Sequence, residues 1–301
     1  MGAPDRIVLG SRGSGLALAQ ARLVEAALRR TWPLLEIALE IIRTSGDETS
    51  VGAPVLDRKA GRKGMFTREI EKELLVRRID VAVHSAKDLP SERLSELEVR
   101  ATLPRANTED VLITKAGGGL TTIPEGATIG TGSVRRQHQL RWKRPDLRIA
   151  DLQGNVPTRL RKLQENEAWS GIILARAGLE RLGLEVPMEI LSQEDFVPAG
   201  GQGVIALQIR REDERACRLL DAINDRATLV ALRAEREFLR LLAGDCDSPV
   251  GVQAAVDGAS IYLRAQIFET EAPAPKVGRA IGASDDPEAV AAALMQQIYG
   301  G

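Results

Sequence analysis

Aromatic side chains are scarce: Phe, Tyr and Trp together make up 3% of the 301 residues. Proteins that hold single-stranded nucleic acid stack bases on aromatic rings, so a partner of that kind is not expected. Histidine occurs only at 84 and 138, and cysteine only at 217 and 246. The absence of CxxC or Cys/His spacing argues against a zinc site and a disulfide framework, and the thiols are expected to be reduced. No run approaches the roughly 18 apolar residues of a membrane helix. The N-terminal MGAPDRIVLGSRGSG has neither a signal peptide's apolar core nor its cleavage site, so the expected compartment is the cytoplasm. GxxxxGK[ST], HExxH and GxSxG are missing too, which leaves nucleotide phosphoryl transfer, zinc hydrolysis and α/β-hydrolase chemistry without direct support.

What is present is a soluble composition, 44% hydrophobic, with 41 basic and 42 acidic residues. The balance hides a local excess. Between Ser133 and Leu163 nine Lys/Arg face only Asp146 and Asp151, a surplus of seven positive charges. Such a block is either a solvated helix face or a site for a small polycarboxylate or phosphate.

Short apolar runs alternate with helical patterns through the first two thirds, which is the signature of an α/β fold. Strands are expected at 7–10, 37–42, 80–85, 111–114, 128–133, 147–152 and 171–175. Helices are expected at 16–30, 66–78, 134–143, 156–166 and 176–183. Residues 44–64 carry four glycines and no periodicity, and read as a long loop. GTGSVRR (130–136) joins a strand to a helix, where unpaired backbone N–H groups and two arginines would meet an anion. GGQGVIA (200–206) matches a dinucleotide fingerprint in letters only. It lacks the preceding strand and following helix, and its glycines read as a hinge. In the tail, an amphipathic helix over 227–244 precedes strands at 250–256 and 260–268 around Asp257-Gly258, a hairpin signal, and a final helix at 284–298.

Two stretches carry chemistry. HSAKDLP (84–90) places Lys87 and Asp88 at the end of a buried strand, where an α/β sheet presents its functional groups. A carboxylate there can stabilise a cation or move a proton. His84 reads as structural, and Cys217, on the apolar side of a helix, as core packing. AGDCDSPVG (243–251) sets Cys246 between two aspartates beyond the negative end of a helix. All three features raise a thiol's pKa and oppose a repeatedly ionising nucleophile. An inert loop thiol and a group that reacts once and stays attached both remain open.

Taken together, SRGSGLALAQ (11–20), GRKGMFTREIEKELL (61–75), DVAVHSAKDLP (80–90), GTGSVRRQHQL (130–140), LQGNVPTRLRKL (152–163), AGGQGVIALQIR (199–210) and AGDCDSPVG resemble the porphobilinogen deaminase (hydroxymethylbilane synthase) family, in family order and over nearly the whole chain. The resemblance implies three α/β domains. Two lobes like those of periplasmic binding proteins are expected, domain 1 at 1–103 with 204–221 and domain 2 at 104–203. A small C-terminal domain with an antiparallel sheet is expected at 222–301. It implies a dipyrromethane cofactor held through a thioether to Cys246, a thiol used once. It also implies head-to-tail condensation of four porphobilinogen molecules with release of ammonia, and catalysis by Asp88. By motif match, Arg12, Lys87, Arg135, Arg136 and Arg159 would bind carboxylates, with Ser14, Thr131 and Ser133 as hydroxyl or backbone donors. Lys63 would belong to a loop covering the cleft.

Gln153 departs from the family's usual arginine. One charge-assisted contact, about 1.5–3 kcal/mol, is lost unless Arg148 or Arg161 replaces it. Asp245 replaces a common glycine in a turn that tolerates aspartate. The alternatives are a non-catalytic two-lobed anion-binding protein and a slow relative of the enzyme. A monomer is expected, with no metal, nucleic acid or membrane as partner.

Overall fold

The computed structural model describes residues 6–43, 67–90, 94–242, 249–269, 272 and 274–300. Three sheets organise them. The first contains β1 (Arg6–Arg12), β2 (Glu36–Ile42), β3 (Val81–Ser85), β4 (Leu97–Thr102) and β10 (Ile205–Arg210), in the order β2-β1-β3-β10-β4. β1 runs parallel to β2 and β3, whereas β10 is antiparallel to both its neighbours. The alternation of side chains explains its two-sided burial. Val81 and Val83 pack with Val24 and Leu28 of α1 (Gly15–Thr31), while Ala82 packs with Ile70 and Leu74 of α2 (Arg68–Leu75). All six residues of β10 are buried, as a central strand requires.

The second sheet repeats this plan. Its order is β7-β6-β8-β5-β9, from β5 (Asp110–Thr114), β6 (Thr128–Gly130), β7 (Arg148–Ala150), β8 (Trp169–Ala175) and β9 (Glu189–Ile190). Here β5 is the antiparallel strand. Leu140 of α3 (Val134–Lys143) covers one face. Leu163 of α4 (Val156–Glu165) and Leu179 of α5 (Arg176–Arg181) cover the other.

The chain therefore passes between the sheets twice, out from β4 to β5 and back from β9 to β10. The alternation of apolar runs and helical patterns does not reveal these antiparallel strands, because their neighbours lie far away in sequence. GGQGVIA lies on the return pass. Gly201 and Gly203 have φ of +76° and +81°, and a strand follows where the dinucleotide fingerprint needs a helix.

The remaining elements are α6 (Glu214–Asp221), which covers the first sheet, then α7 (Arg226–Leu241), β11 (Val250–Asp257), β12 (Ser260–Ile267), β13 (Lys276–Ala283) and α8 (Pro287–Tyr299). β11, β12 and β13 form an antiparallel sheet with α7 and α8 packed on one face. Asp257 pairs with Ser260, so the hairpin loop is Gly258-Ala259, one residue later than expected. α7 ends at Leu241, short of the expected 244. β4, β9 and β13 are strands that the apolar pattern did not reveal. Cys217 is half-buried against the first core, and burial pushes its thiol up.

Candidate active site

Strand ends meet helix starts where the two lobes face each other. Ser14 caps α1, its Oγ accepting from Ala17 N at 3.3 Å. Ser133 caps α3 in the same way toward Arg136 N, and Asn155 caps α4 toward Thr158 N at 2.9 Å. These hydroxyl and amide caps, each within five residues of the end of its strand, fix where each helix begins. β3 instead ends in a single 3₁₀ turn, Ala86–Asp88, that projects Lys87 and Asp88. The turn is tied to the return crossover by Ala86 N donating to Val204 O at 3.0 Å.

Two cavities lie here, sharing Leu16, Gln20 and Ser85 as their common wall. Gln20 and Ser85 brace each other, with contacts of 2.8 and 3.0 Å. The first cavity is lined by Arg12, Ser14, His84 and Asp88. The second gathers Lys87, Arg136, Arg159 and Arg181 around an apolar wall that includes Val156 and Leu174. Four cations in one partly desolvated cavity define its chemistry. Burial lowers Lys87 to about 8, opposed by Asp88 and reinforced by Arg136 and Arg159. Burial also lowers Arg159 and Arg181 to about 10 each. Such groups are stabilised by an incoming polyanion.

Arg135 and Arg136 have different surroundings. Arg135 is 4% exposed, and its Nη1 donates to Asp110 Oδ2, Gln139 Oε1 and Val197 O at 2.7–2.9 Å. Arg136 bonds Asp110 Oδ1 at 2.7 Å and Ile173 O at 3.0 Å, yet also lines the second cavity. Burial alone would raise the Asp110 carboxyl, but the two guanidiniums hold it well below the usual carboxylate range. Gln202, on the return crossover, adds a bond of 2.8 Å to Asp110 Oδ1.

The structure thus brings Arg12, Ser14 and Asp88 around one cavity, and Lys87, Arg136 and Arg159 around the other. Thr131, Ser133 and Arg135 line neither; Thr131 Oγ1 accepts from Ser133 N at the start of α3. Lys63 and Cys246 lie outside the described residues. Gln153 is exposed and donates to Asp151 Oδ2 at 2.7 Å. Arg148 and Arg161 line neither cavity. Three of the block's cations are paired elsewhere: Lys143 with Asp195, Arg144 with Asp146 and Arg161 with Glu165. Of its nine cations only Arg136 and Arg159 reach a cavity. Arg181, in one wall, lies outside every motif, and Gln20 closes the SRGSGLALAQ stretch without having been assigned a role.

The chain is thus a two-lobed α/β protein with an appended third unit, whose cleft sets a carboxylate beside a cavity rimmed by four cations. Residues 7–218 match the family model "Porphobilinogen deaminase, dipyromethane cofactor binding domain", and residues 229–300 match "Porphobilinogen deaminase, C-terminal domain". The chain belongs to the porphobilinogen deaminase family, enzymes that make hydroxymethylbilane. It is 40% identical over 311 residues to a porphobilinogen deaminase of Syntrophobacter fumaroxidans, covering 98% of this chain and 99% of that protein. It is 42% identical over 296 residues to one of a Roseiflexus species, covering 97% and 95%. One from Nitrobacter winogradskyi is 46% identical over 266 residues, covering 87% and 83%. Among solved structures, the methionine-binding protein MetQ is similar at a TM-score of 0.45 and 12% identity, over 73% of this chain and 91% of that one.

The second cavity fits the family's cofactor. A dipyrromethane combines flat apolar rings with acidic side chains, and the cavity offers an apolar wall rimmed by four cations.

Proposed function

We propose that the chain condenses four porphobilinogen molecules head to tail, releases ammonia at each step, and frees the linear tetrapyrrole hydroxymethylbilane by hydrolysis. The observation that carries this reading is the placement of Asp88 and Lys87 on one turn between a small cavity and a cationic one. When bound, dipyrromethane supplies the free pyrrole α-carbon from which the product grows, attached through Cys246.

The residues divide the work. Asp88 places its carboxylate against the pyrrole nitrogen as positive charge develops there, and assists removal of the α-proton once the new bond has formed. Lys87, Arg136 and Arg159 take the acetate and propionate groups, whose charge grows by two with each ring. Guanidinium forks suit this, since each can bind a carboxylate through two bonds. Arg12 and Ser14 hold the corresponding groups at the first cavity. Arg135 acts through Asp110, keeping that carboxylate ionised and in place for Arg136. Thr131 and Ser133 shape the helix start that aims Arg136.

The domain limits proposed for this work are 1–103 with 204–221, 104–203, and 222–301. Sheet membership supports them, since β10 returns to the first sheet. The protein acts as a cytoplasmic monomer on a small molecule and not on nucleic acid. The ion pairing of five of the block's nine cations supports the last point, and no described helix is long and apolar enough to cross a membrane.

The test is an assay of porphobilinogen consumption against ammonia release. The parent protein should release one ammonia per porphobilinogen consumed, and Asp88→Asn should lose turnover by a factor of about 100 or more while keeping its circular dichroism spectrum. Normal turnover in that variant would remove Asp88 from the mechanism.

A further inference from the structure

His84 is 5% exposed and lines the first cavity together with Asp88, Arg12 and Ser14. Its Nε2 lies 3.0 Å from Gln208 Oε1, and Gln208 Nε2 lies 2.9 Å from Glu71 Oε1. The chain of contacts settles the tautomer. Glu71 accepts from the amide nitrogen of Gln208, so the amide oxygen faces His84, and Nε2 of His84 carries the hydrogen. Nδ1 is then the acceptor of the ring, which lines the first cavity. Burial lowers His84 to about 4, against the Gln208 bond and assisted by Arg236. The other charged groups around it are Glu71 behind Gln208, and Asp88 and Arg12 at the cavity. The ring is therefore a neutral, weakly basic acceptor at neutral pH, in a cavity that it shares with Arg12 and Asp88.

We infer that His84 is a further substrate-binding residue, its Nδ1 accepting a hydrogen bond from the aminomethyl ammonium of porphobilinogen. The assignment rests on the reaction proposed above. Porphobilinogen has two kinds of N–H donor, and Asp88 is placed for the pyrrole nitrogen, which leaves the ammonium. A weak base suits that group. It orients an ammonium whose pKa is close to that of lysine, about 10, without removing its proton. The departing group thus stays in its better leaving form. When the C–N bond breaks, its electron pair goes with nitrogen, which leaves as NH₃. The positive charge passes to the pyrrole as a protonated azafulvene, and His84 neither gives nor takes a proton.

Two substitutions separate this role from a structural one. In Asn the side-chain amide sits at the position of Nδ1, and in Gln at that of Nε2. His84→Asn should keep kcat within about threefold of the parent, whereas His84→Gln, which retains the bond toward Gln208 but no acceptor at Nδ1, should lose about tenfold or more. A residue that served only to pack against Gln208 would give the opposite order, and that result overturns the proposal while leaving the reaction intact. A parent protein that releases no ammonia overturns the reaction, and the proposal with it. Nitrogen-15 NMR of the Asp88→Asn protein, with His138→Gln to assign the signals, should show the Nε2–H tautomer and an Nδ1 resonance that moves when porphobilinogen is added. An Nδ1–H tautomer, or an unmoved resonance in protein that binds porphobilinogen, contradicts the assignment.

Discussion

Lys87 is the residue whose charge the site controls most directly. Burial depresses it to about 8, so the free protein loses this cation as pH rises through that value. If Lys87 binds a substrate carboxylate, kcat/KM should fall above about pH 8, with the loss carried by KM. In Lys87→Arg the guanidinium stays protonated and that fall should disappear; a pH–rate profile of both proteins checks it. The same shift has a consequence for folding. Between about 8 and 10.5 the unfolded chain binds the proton that the folded protein does not, so this group contributes stability as pH rises across that window. At this scale the sequence was informative wherever a residue type and a strand end coincided, as in HSAKDLP. It could not separate Arg135 from Arg136. The two are adjacent in the chain, and what distinguishes them is how their side chains reach Asp110, 25 and 26 positions away. Arg181 was missed because its role comes from the approach of α5 to the return crossover, where its Nη2 bonds Gly203 O at 2.7 Å.

Elements were legible where local chemistry fixes them. Ser14, Ser133 and Asn155 cap the helices that follow strands, and those helix boundaries agree with the sequence reading to within a residue. The antiparallel β5 and β10 were not legible as such, because strand direction in a sheet depends on partners distant in sequence. β13 was hidden for another reason: its inward positions include Gly278, where a Cβ would lie 2.7 Å from Ile298 of α8, so the apolar alternation that marks a strand is absent. Gly201 is the hinge residue most closely tied to the site. Its φ is +76°, and a Cβ there would stand 2.9 Å from Ala86 C and Lys87 N, the backbone that carries Asp88. Gly201→Ala should therefore cost about 1–3 kcal/mol of stability from backbone strain. It should also lower kcat, measured by denaturant unfolding and ammonia release; unchanged values would mean that this turn does not set the position of Asp88.

Across the whole molecule, one buried carboxylate ties the three units together. Glu235 of α7 is fully buried and pairs with Arg105 of the outward crossover at 2.6 Å. It also accepts from Gly201 N on the return crossover at 2.6 Å and from Ala254 N of β11 at 2.7 Å. Arg105 in turn donates to Gln202 O. Removing one partner of such a pair leaves the other charge buried, so Glu235→Ala should lose about 3–5 kcal/mol, read by denaturant unfolding. A loss below 1 kcal/mol would show that the units hold together without it. None of this was visible in the sequence, since Glu235 sits in an ordinary amphipathic helix and Arg105 in a loop. The three-unit plan was visible, through family motifs spread over the whole chain.

At the centre of the proposed function stands a covalently held pyrrole primer on which the protein builds its product. The measurement that tests it most directly is the intact mass of the denatured chain, beside a Cys246→Ala control. The expected result is a mass above 32.6 kDa by two linked pyrrole units in the parent and no such increment in the control. An unmodified parent chain that remains unmodified after incubation with porphobilinogen would contradict it.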